Sequence, residues 1–267
     1  MTSSSSRPIL LTGASGFVGR YVLEELTSSG VTGAQIVCNC QTQSTTDLFD
    51  NVYVQDLTDR DGVARMIAEL RPRAVIHLAA IAEPAEAMRR RELAWDVNVG
   101  ATRYLAEALL ENAADATLIF SGSAESYGLS FNDSKSPIRE DSRLAPTTVY
   151  GATKAISDIY LGQVMREGLN VVRFRAFNHT GAGQPPNYVV PAFAEQIAKI
   201  EKGAQPPVIR VGNLDSFRDF LDVRDVAAAY VSALELKGED LQESAINISS
   251  GVPIQIKDVL RSLLDLS

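Results

Sequence analysis

Two periodicities alternate along the first two thirds of the chain. Ile9–Thr12, Gln35–Cys40, Val52–Val54, Ala74–Leu78, Thr117–Ser121 and Val171–Phe177 are short apolar runs of strand length. Between them, Phe17–Ser28, Asp59–Leu70, Asp96–Leu110 and Tyr150–Arg166 repeat apolar residues every three or four positions, the spacing of one helix face. Continuous apolar strands alternating with helices imply a parallel sheet covered on both faces, since each parallel crossover is filled by a helix. The pattern predicts an α/β fold, a doubly wound parallel sheet.

Beyond Phe177 the rhythm changes. Residues 178–186 are rich in turn formers, after which Val189–Lys202 reads as a helix with Pro191 near its first turn. A strand at Val208–Val211, a helix at Val223–Leu236, a strand at Ala245–Ile248 and a helix from Ile256 to Ser267 complete the prediction, and no internal repeat is visible.

At 267 residues the chain can bury one large core and add a smaller lobe. A net charge of −8 argues against a nucleic-acid surface, which needs clustered Lys and Arg; the one basic run, Arg89-Arg90-Arg91, reads as a solvated helix face. Cys38 and Cys40, two apart in a strand, share a face and are too close for an ordinary disulfide, which with the lack of a zinc pattern suggests a reducing cytoplasm. Residues 1–7 are followed by no apolar stretch long enough for a signal peptide or membrane span and are expected to be a disordered lead-in.

Chemistry enters with Gly13-Ala14-Ser15-Gly16-Phe17-Val18-Gly19, placed between the first strand and the first helix. Glycines there let the backbone turn tightly and approach a pyrophosphate, whose charge rests on the helix N-terminus. Tyr150 and Lys154 stand four residues apart on one helix face, Tyr150 near the helix start. An ammonium beside a phenol favours the phenolate, and the positive helix end adds to this. Ser123, with Glu125 and Tyr127-Gly128, follows the fifth strand at its C-terminal end, where open parallel sheets bind ligands.

With the glycine turn, His77-Leu78-Ala79-Ala80, Asn98, Ser123 and Tyr150-x-x-x-Lys154 in this order, the chain resembles an extended short-chain dehydrogenase/reductase acting on nucleotide sugars, over essentially its whole length. The resemblance implies a Rossmann-like fold with a smaller α/β C-terminal substrate lobe. Residues 1–178 would form the dinucleotide-binding domain, with 213–236 packing back on it, and 179–212 with 237–267 the lobe. It also implies that Tyr150 exchanges a proton with a sugar hydroxyl or carbonyl, that Lys154 bonds the nicotinamide ribose and depresses the tyrosine pKa, and that Ser123 hydrogen-bonds the reacting oxygen. The implied cofactor contacts are Gly13, Ser15, Gly16, Phe17, Val18, Gly19, Asn39, Asp56, Leu57, Leu78, Ala79, Ala80, Asn98, Tyr150, Lys154 and Phe177.

Residues 177–184, 189–197 and 211–226 closely resemble GDP-4-dehydro-6-deoxy-mannose reductases, with Ala182 in place of the usual Pro. That likeness implies substrate contacts from Ser123, Glu125, Asn178, Val190 and Arg218, the Asn and Arg on the pyrophosphate. Asp219, Asp222 and Asp225 read as structural, one of them pairing with Arg224. Glu125 leaves a 4,6-dehydratase open, since the corresponding Glu acts as a base at C5 in that branch. A 4-epimerase uses the same Ser, Tyr and Lys, and a non-catalytic cofactor-binding sensor or scaffold would share the fold. The usual acidic position for a ribose 2′-hydroxyl falls on Asn39, and Arg20 could reach a 2′-phosphate, so NADP(H) is favoured over NAD(H). A homodimer through the helices at 96–110 and 150–166 is expected. Relatives continue a few dozen residues past the last helix, so the lobe is expected to be incomplete at Ser267. No metal site is expected.

Overall fold

The computed structural model describes residues 7–41, 49–133, 137–236 and 245–267. Of the lead-in expected at residues 1–7, residues 1–6 lie outside them, whereas Arg7 pairs with Asp115 and donates to the Arg71 and Pro72 carbonyls. In chain order the elements are β1 (Ile9–Thr12), α1 (Phe17–Ser28), β2 (Ile36–Cys40), β3 (Val52–Val54), α2 (Arg60–Leu70), β4 (Ala74–His77), α3 (Pro84–Arg89), α4 (Arg91–Trp95), α5 (Ala101–Asn112), β5 (Thr117–Ser123), α6 (Ser130–Asp133), α7 (Val149–Val164), β6 (Asn170–Ala176), β7 (Asn178–Thr180), α8 (Val189–Glu201), β8 (Phe217–Asp222), α9 (Val223–Ser232), β9 (Ala245–Ile248), β10 (Pro253–Gln255) and α10 (Ile256–Asp265).

Seven strands in the order β3-β2-β1-β4-β5-β6-β9 form a sheet in which every pairing is parallel. Strand alternation sends Leu10, Val75 and Leu118 into a cluster with Val63, Met66 and Ile67 of α2, Leu105 and Leu109 of α5 and Leu161 of α7. Ile9, Leu11, Ile76 and Ile119 go the other way, onto Val22 and Leu26 of α1 and Val226 and Tyr230 of α9. Both faces are thus buried, which is why these strands read as unbroken apolar runs. The direction of winding reverses between β1 and β4, and the crevice at that switch point is where an open sheet receives its ligand.

A second, three-stranded sheet runs β10-β8-β7, with β8 antiparallel to β10 and parallel to β7. None of these three strands is evident in the apolar pattern, because Phe217-Arg-Asp-Phe-Leu-Asp and its neighbours are short and half-polar. The strand expected at Val208–Val211 is not formed. There the backbone of Arg210 is held by the amide side chain of Gln196 on α8, in both directions at 2.8 and 3.1 Å, and Val208 and Val211 stay exposed. Ala245–Ile248, expected in the smaller lobe, instead pairs with β6 and closes the large sheet, with Ala245 and Ile248 buried. The segment expected to pack back is divided. α9 lies on α1, whereas β8 belongs to the small sheet.

Cys38 and Cys40 are buried thiols, not joined in a disulfide. Glu86 pairs with Arg89 and Arg90 at the solvated end of α3. No helix among the described residues is long and apolar enough to cross a membrane.

Candidate active site

The glycine turn is built against the end of β4. Gly13 sits at φ +73°, and a Cβ there would meet the Ala79 nitrogen at 2.7 Å. At Gly19 a Cβ would lie 2.2 Å from the Gly13 carbonyl oxygen. Only a chain without side chains at these points can close the turn and leave its outer surface open. Ser15 and Gly16 are exposed on that surface. The first turn of α1 has no side-chain cap and no acidic residue, so its N–H groups remain available to an anion. This cradle fits the pyrophosphate of a dinucleotide. Phe17 opens α1, with Val18 and Leu78 packed partly into the core beneath it and Ala79 and Ala80 half-buried across the crevice.

Asn39 does not reach the crevice. Its amide donates to the carbonyls of Gln55 at 3.0 Å and Tyr53 at 3.4 Å, so it anchors β3 to β2, and the residue that follows the end of β2 is Gln41. Gln41 donates to Asp56, which also accepts from the N–H and hydroxyl of Thr58. Burial alone would raise the Asp56 carboxyl, but these hydrogen bonds hold it below the usual range. The Leu57 side chain belongs to the core. Asn98 lies in a π-helical turn, Asp96–Gly100, with its side chain committed to the protein: Ile81 N–H donates to it at 2.8 Å, and it donates to the Ile81 carbonyl and to Thr153. Phe177 donates its N–H to Ile248 and stands edge-on to Phe131.

Tyr150 lies in the first turn of α7, whose N-cap Thr148 accepts from Gly151 N–H at 2.9 Å. Gly151 is where α7 meets the Ser123–Glu125 turn, since a Cβ there would lie 2.7 Å from the Glu125 carbonyl. The contact brings together Ser123 and Tyr150, and the Ser123 hydroxyl favours the phenolate. Ser123 is buried and its Oγ also accepts from the Glu125 N–H; the Glu125 side chain is exposed. Lys154 is buried one helical turn on. It donates to the Ser121 carbonyl at 2.7 Å and lies 5.1 Å from the Phe120 ring centroid.

The expected depression of the Tyr150 pKa by Lys154 is not found. Burial pushes the phenol up to about 12, with Tyr188 and Glu125 adding to the rise and the Ser123 hydroxyl opposing it. Lys154, turned to Ser121, is itself brought down to about 7 by burial.

Asn178 and Arg218 share one face of the small sheet. Asn178 is in register with Phe220, two residues from Arg218 along β8, so the side chains point the same way. Both are exposed, and the Arg218 guanidinium donates to the Phe217 carbonyl. Val190 stands between two cavities. One, of about 560 Å³, is walled by Phe217, Ile254, Val259 and Leu263; the other, of about 380 Å³, borders residues 180–184. Neither is lined by Ser123, Tyr150 or Lys154. The aspartates beside Arg218 are structural, as read: Asp219 clamps the N–H groups of Ser250 and Gly251, and Asp222 caps α9 and pairs with Arg224.

Sequence reasoning missed two buried groups around α7. Thr12, His77, Thr102, Asn98 and Thr153 are hydrogen-bonded in a line beneath the site, and Asp158 holds Arg173 and Arg175. The signal for the second was two arginines alternating in an otherwise apolar strand.

A GDP-6-deoxy-D-mannose reductase of Pseudomonas aeruginosa is 31% identical over 97% of this chain and 80% of its own. The structure of RMD from Pseudomonas aeruginosa complexed with NADPH superposes with a TM-score of 0.81 at 29% identity, covering 97% of this chain and 81% of that one. A Thermus thermophilus UDP-glucose 4-epimerase in complex with NAD gives 0.79 at 26%, covering 97% and 82%. The NAD dependent epimerase/dehydratase family matches residues 9–249. The chain therefore belongs to the NAD dependent epimerase/dehydratase family and is an NAD(P)-dependent enzyme of nucleotide-sugar chemistry.

Proposed function

We propose that the protein reduces the 4-keto group of a nucleotide sugar, GDP-4-dehydro-6-deoxy-mannose, with NADPH. The observation that carries this reading is the half-buried Tyr150 phenol beside Ser123, raised to about 12, so that it holds its proton at neutral pH. Reduction of a ketone needs a proton donor at the oxygen, which is what a protonated phenol supplies. The dinucleotide held by the glycine cradle supplies the hydride. Tyr150 donates its proton to the developing alkoxide, Ser123 hydrogen-bonds the same oxygen, and Lys154 adds positive charge beneath them. Asn178 and Arg218 hold the sugar nucleotide's pyrophosphate, for which the planar guanidinium is suited.

The similarity to the Pseudomonas reductase supports the GDP-sugar, and that to the complex with NADPH supports the phosphorylated cofactor. The exposed Arg20, and an amide instead of a carboxylate at Gln41, fit a 2′-phosphate better than a bare ribose. A strong preference for NADH in binding titrations would overturn that assignment. Residues 1–178 with α9 and β9 form the cofactor half in this reading, and the small sheet with α8 and α10 the substrate half. A homodimer through α5 and α7 is supported by Ile156 and Ile159, 42% and 61% exposed, whereas Leu161 is core. Buried cysteines outside any disulfide fit the cytoplasm.

The deciding assay offers GDP-mannose and GDP-4-dehydro-6-deoxy-mannose, each with and without reduced cofactor. Consumption of the ketosugar only with NADPH supports reduction, and conversion of GDP-mannose without it would indicate a dehydratase. A UDP-glucose to UDP-galactose conversion would indicate the epimerase activity named for the Thermus relative. Arg218→Ala is expected to raise the KM for the sugar nucleotide about tenfold or more, leaving cofactor affinity within about twofold, as measured by steady-state kinetics and calorimetry.

A further inference from the structure

His77 is the last residue of β4 and is 2% exposed, so both ring nitrogens must find partners inside the protein. Nδ1 lies 2.8 Å from Thr12 Oγ1 and Nε2 lies 3.0 Å from Thr102 Oγ1. The surrounding bonds fix the direction. Thr102 gives its proton to the Asn98 carbonyl at 2.7 Å, so it accepts from Nε2–H, which leaves Nδ1 to accept from Thr12. Thr12 in turn accepts from the Ala79 N–H. The imidazole is neutral, its pKa brought to about 3 by burial and then by the Lys154 charge.

Each arm ends at a different part of the site. Thr12 precedes Gly13 in the chain and holds the N–H of Ala79, which with Leu78 forms the backbone against which Gly13 closes, so the Thr12 arm supports the floor of the dinucleotide cradle. The Thr102 arm reaches the π-helical turn at Asn98, whose amide donates to Thr153 at 2.9 Å, and Thr153 donates to the Tyr150 carbonyl at 2.8 Å. Ser157 of α7 donates to the same Asn98 carbonyl. We propose that His77 is a positioning residue: one neutral imidazole that holds the dinucleotide cradle and the catalytic helix α7 in a single register.

Two substitutions separate the arms. In His77→Asn the carboxamide oxygen takes the place of Nδ1 and keeps the Thr12 bond; in His77→Gln the amide nitrogen takes the place of Nε2 and keeps the Thr102 bond. His77→Asn is expected to lose about tenfold in kcat with NADPH Kd changed less than about threefold, and His77→Gln to weaken NADPH binding about tenfold with the smaller loss in kcat. Thr102→Val, with Thr102→Ser as the rescuing variant, repeats the test on the catalytic arm if either histidine variant fails to fold. A merely structural role would lower thermal stability and leave kcat and Kd per folded molecule unchanged in all four. That result, or both parameters falling together in each histidine variant, overturns the proposal. Its kcat arm rests on the reductase reading, but NADPH Kd is measured without substrate. A wild type that binds NADPH yet reduces no ketosugar therefore counts against that reading, and the Kd comparison still decides the relay.

Discussion

Tyr150→Phe is expected to lower kcat about a thousandfold, the scale of a positioned acid–base group, with NADPH affinity within about twofold of wild type. The substitution keeps the ring and removes one oxygen. That oxygen lies beside Ser123, whose Oγ is itself oriented by the Glu125 N–H at the end of β5. Without it the developing alkoxide has Ser123 as a partner but no proton source. The cofactor cradle lies at the β1–α1 turn and on the end of β4, and none of its contacts passes through the phenol oxygen. Since reduction uses the protonated phenol, raised by burial to about 12, its contribution is present at neutral pH and lost as pH rises through that value. Fluorescence titration of NADPH and single-turnover oxidation of bound NADPH by the ketosugar measure the two quantities separately. Near-normal turnover would remove Tyr150 from the chemistry, and a protein that binds NADPH but oxidises it with no ketosugar even as wild type would favour the scaffold reading.

What the sequence revealed was whatever leaves a periodic or positional trace. The six core strands and the helices between them were legible because burial on both faces makes strands uniformly apolar, and the glycine turn because Gly13 and Gly19 abut backbone. Tyr150, Lys154 and Ser123 were legible through their order and spacing, and Asn178 and Arg218 only through resemblance; their common face depends on the register of β7 with β8. The small sheet left no trace, since β7 and β10 have three residues each and the six of β8 are half polar, too few apolar positions to show a period. The end of β2 was legible at Cys40, but that the Asn39 amide is taken up by the Tyr53 and Gln55 carbonyls depends on the pairing of β2 with β3, which pattern alone does not give. The pKa of Tyr150 was misread for a related reason. Spacing on a helix puts Lys154 near the phenol, but the direction of the ammonium is set by the Ser121 carbonyl on another element.

The largest effect on stability is expected from Asp158→Ala. Asp158 is 1% exposed on α7, one turn beyond Lys154, and it accepts from Arg173 at 2.8 Å and from Arg175 at 2.5 Å. Both arginines come from β6, and Arg175 also donates to the Tyr127 hydroxyl and the Glu140 carbonyl. Tyr127 bonds Asn247 of β9, so one carboxylate joins α7 to the far edge of the sheet. Two guanidiniums in a buried site are tolerable only while a carboxylate offsets their repulsion and desolvation. Removing it is expected to cost about 3–5 kcal/mol, a large fraction of a domain's stability, measurable as a lower midpoint in urea with little change in slope. Asp158→Asn keeps the shape and some hydrogen bonds, and should lose less than the alanine variant. Gly162 gives an independent check, because a Cβ there would approach the Arg173 Nη1 at 2.8 Å, so Gly162→Ala should also destabilise by pressing on the same guanidinium. A loss below about 1 kcal/mol in Asp158→Ala would mean that α7 is held to the sheet by its apolar face alone. A loss of the expected size would explain why an apolar strand carries two arginines, and why the helix bearing Tyr150 and Lys154 keeps a fixed distance from Ser121 and Ser123.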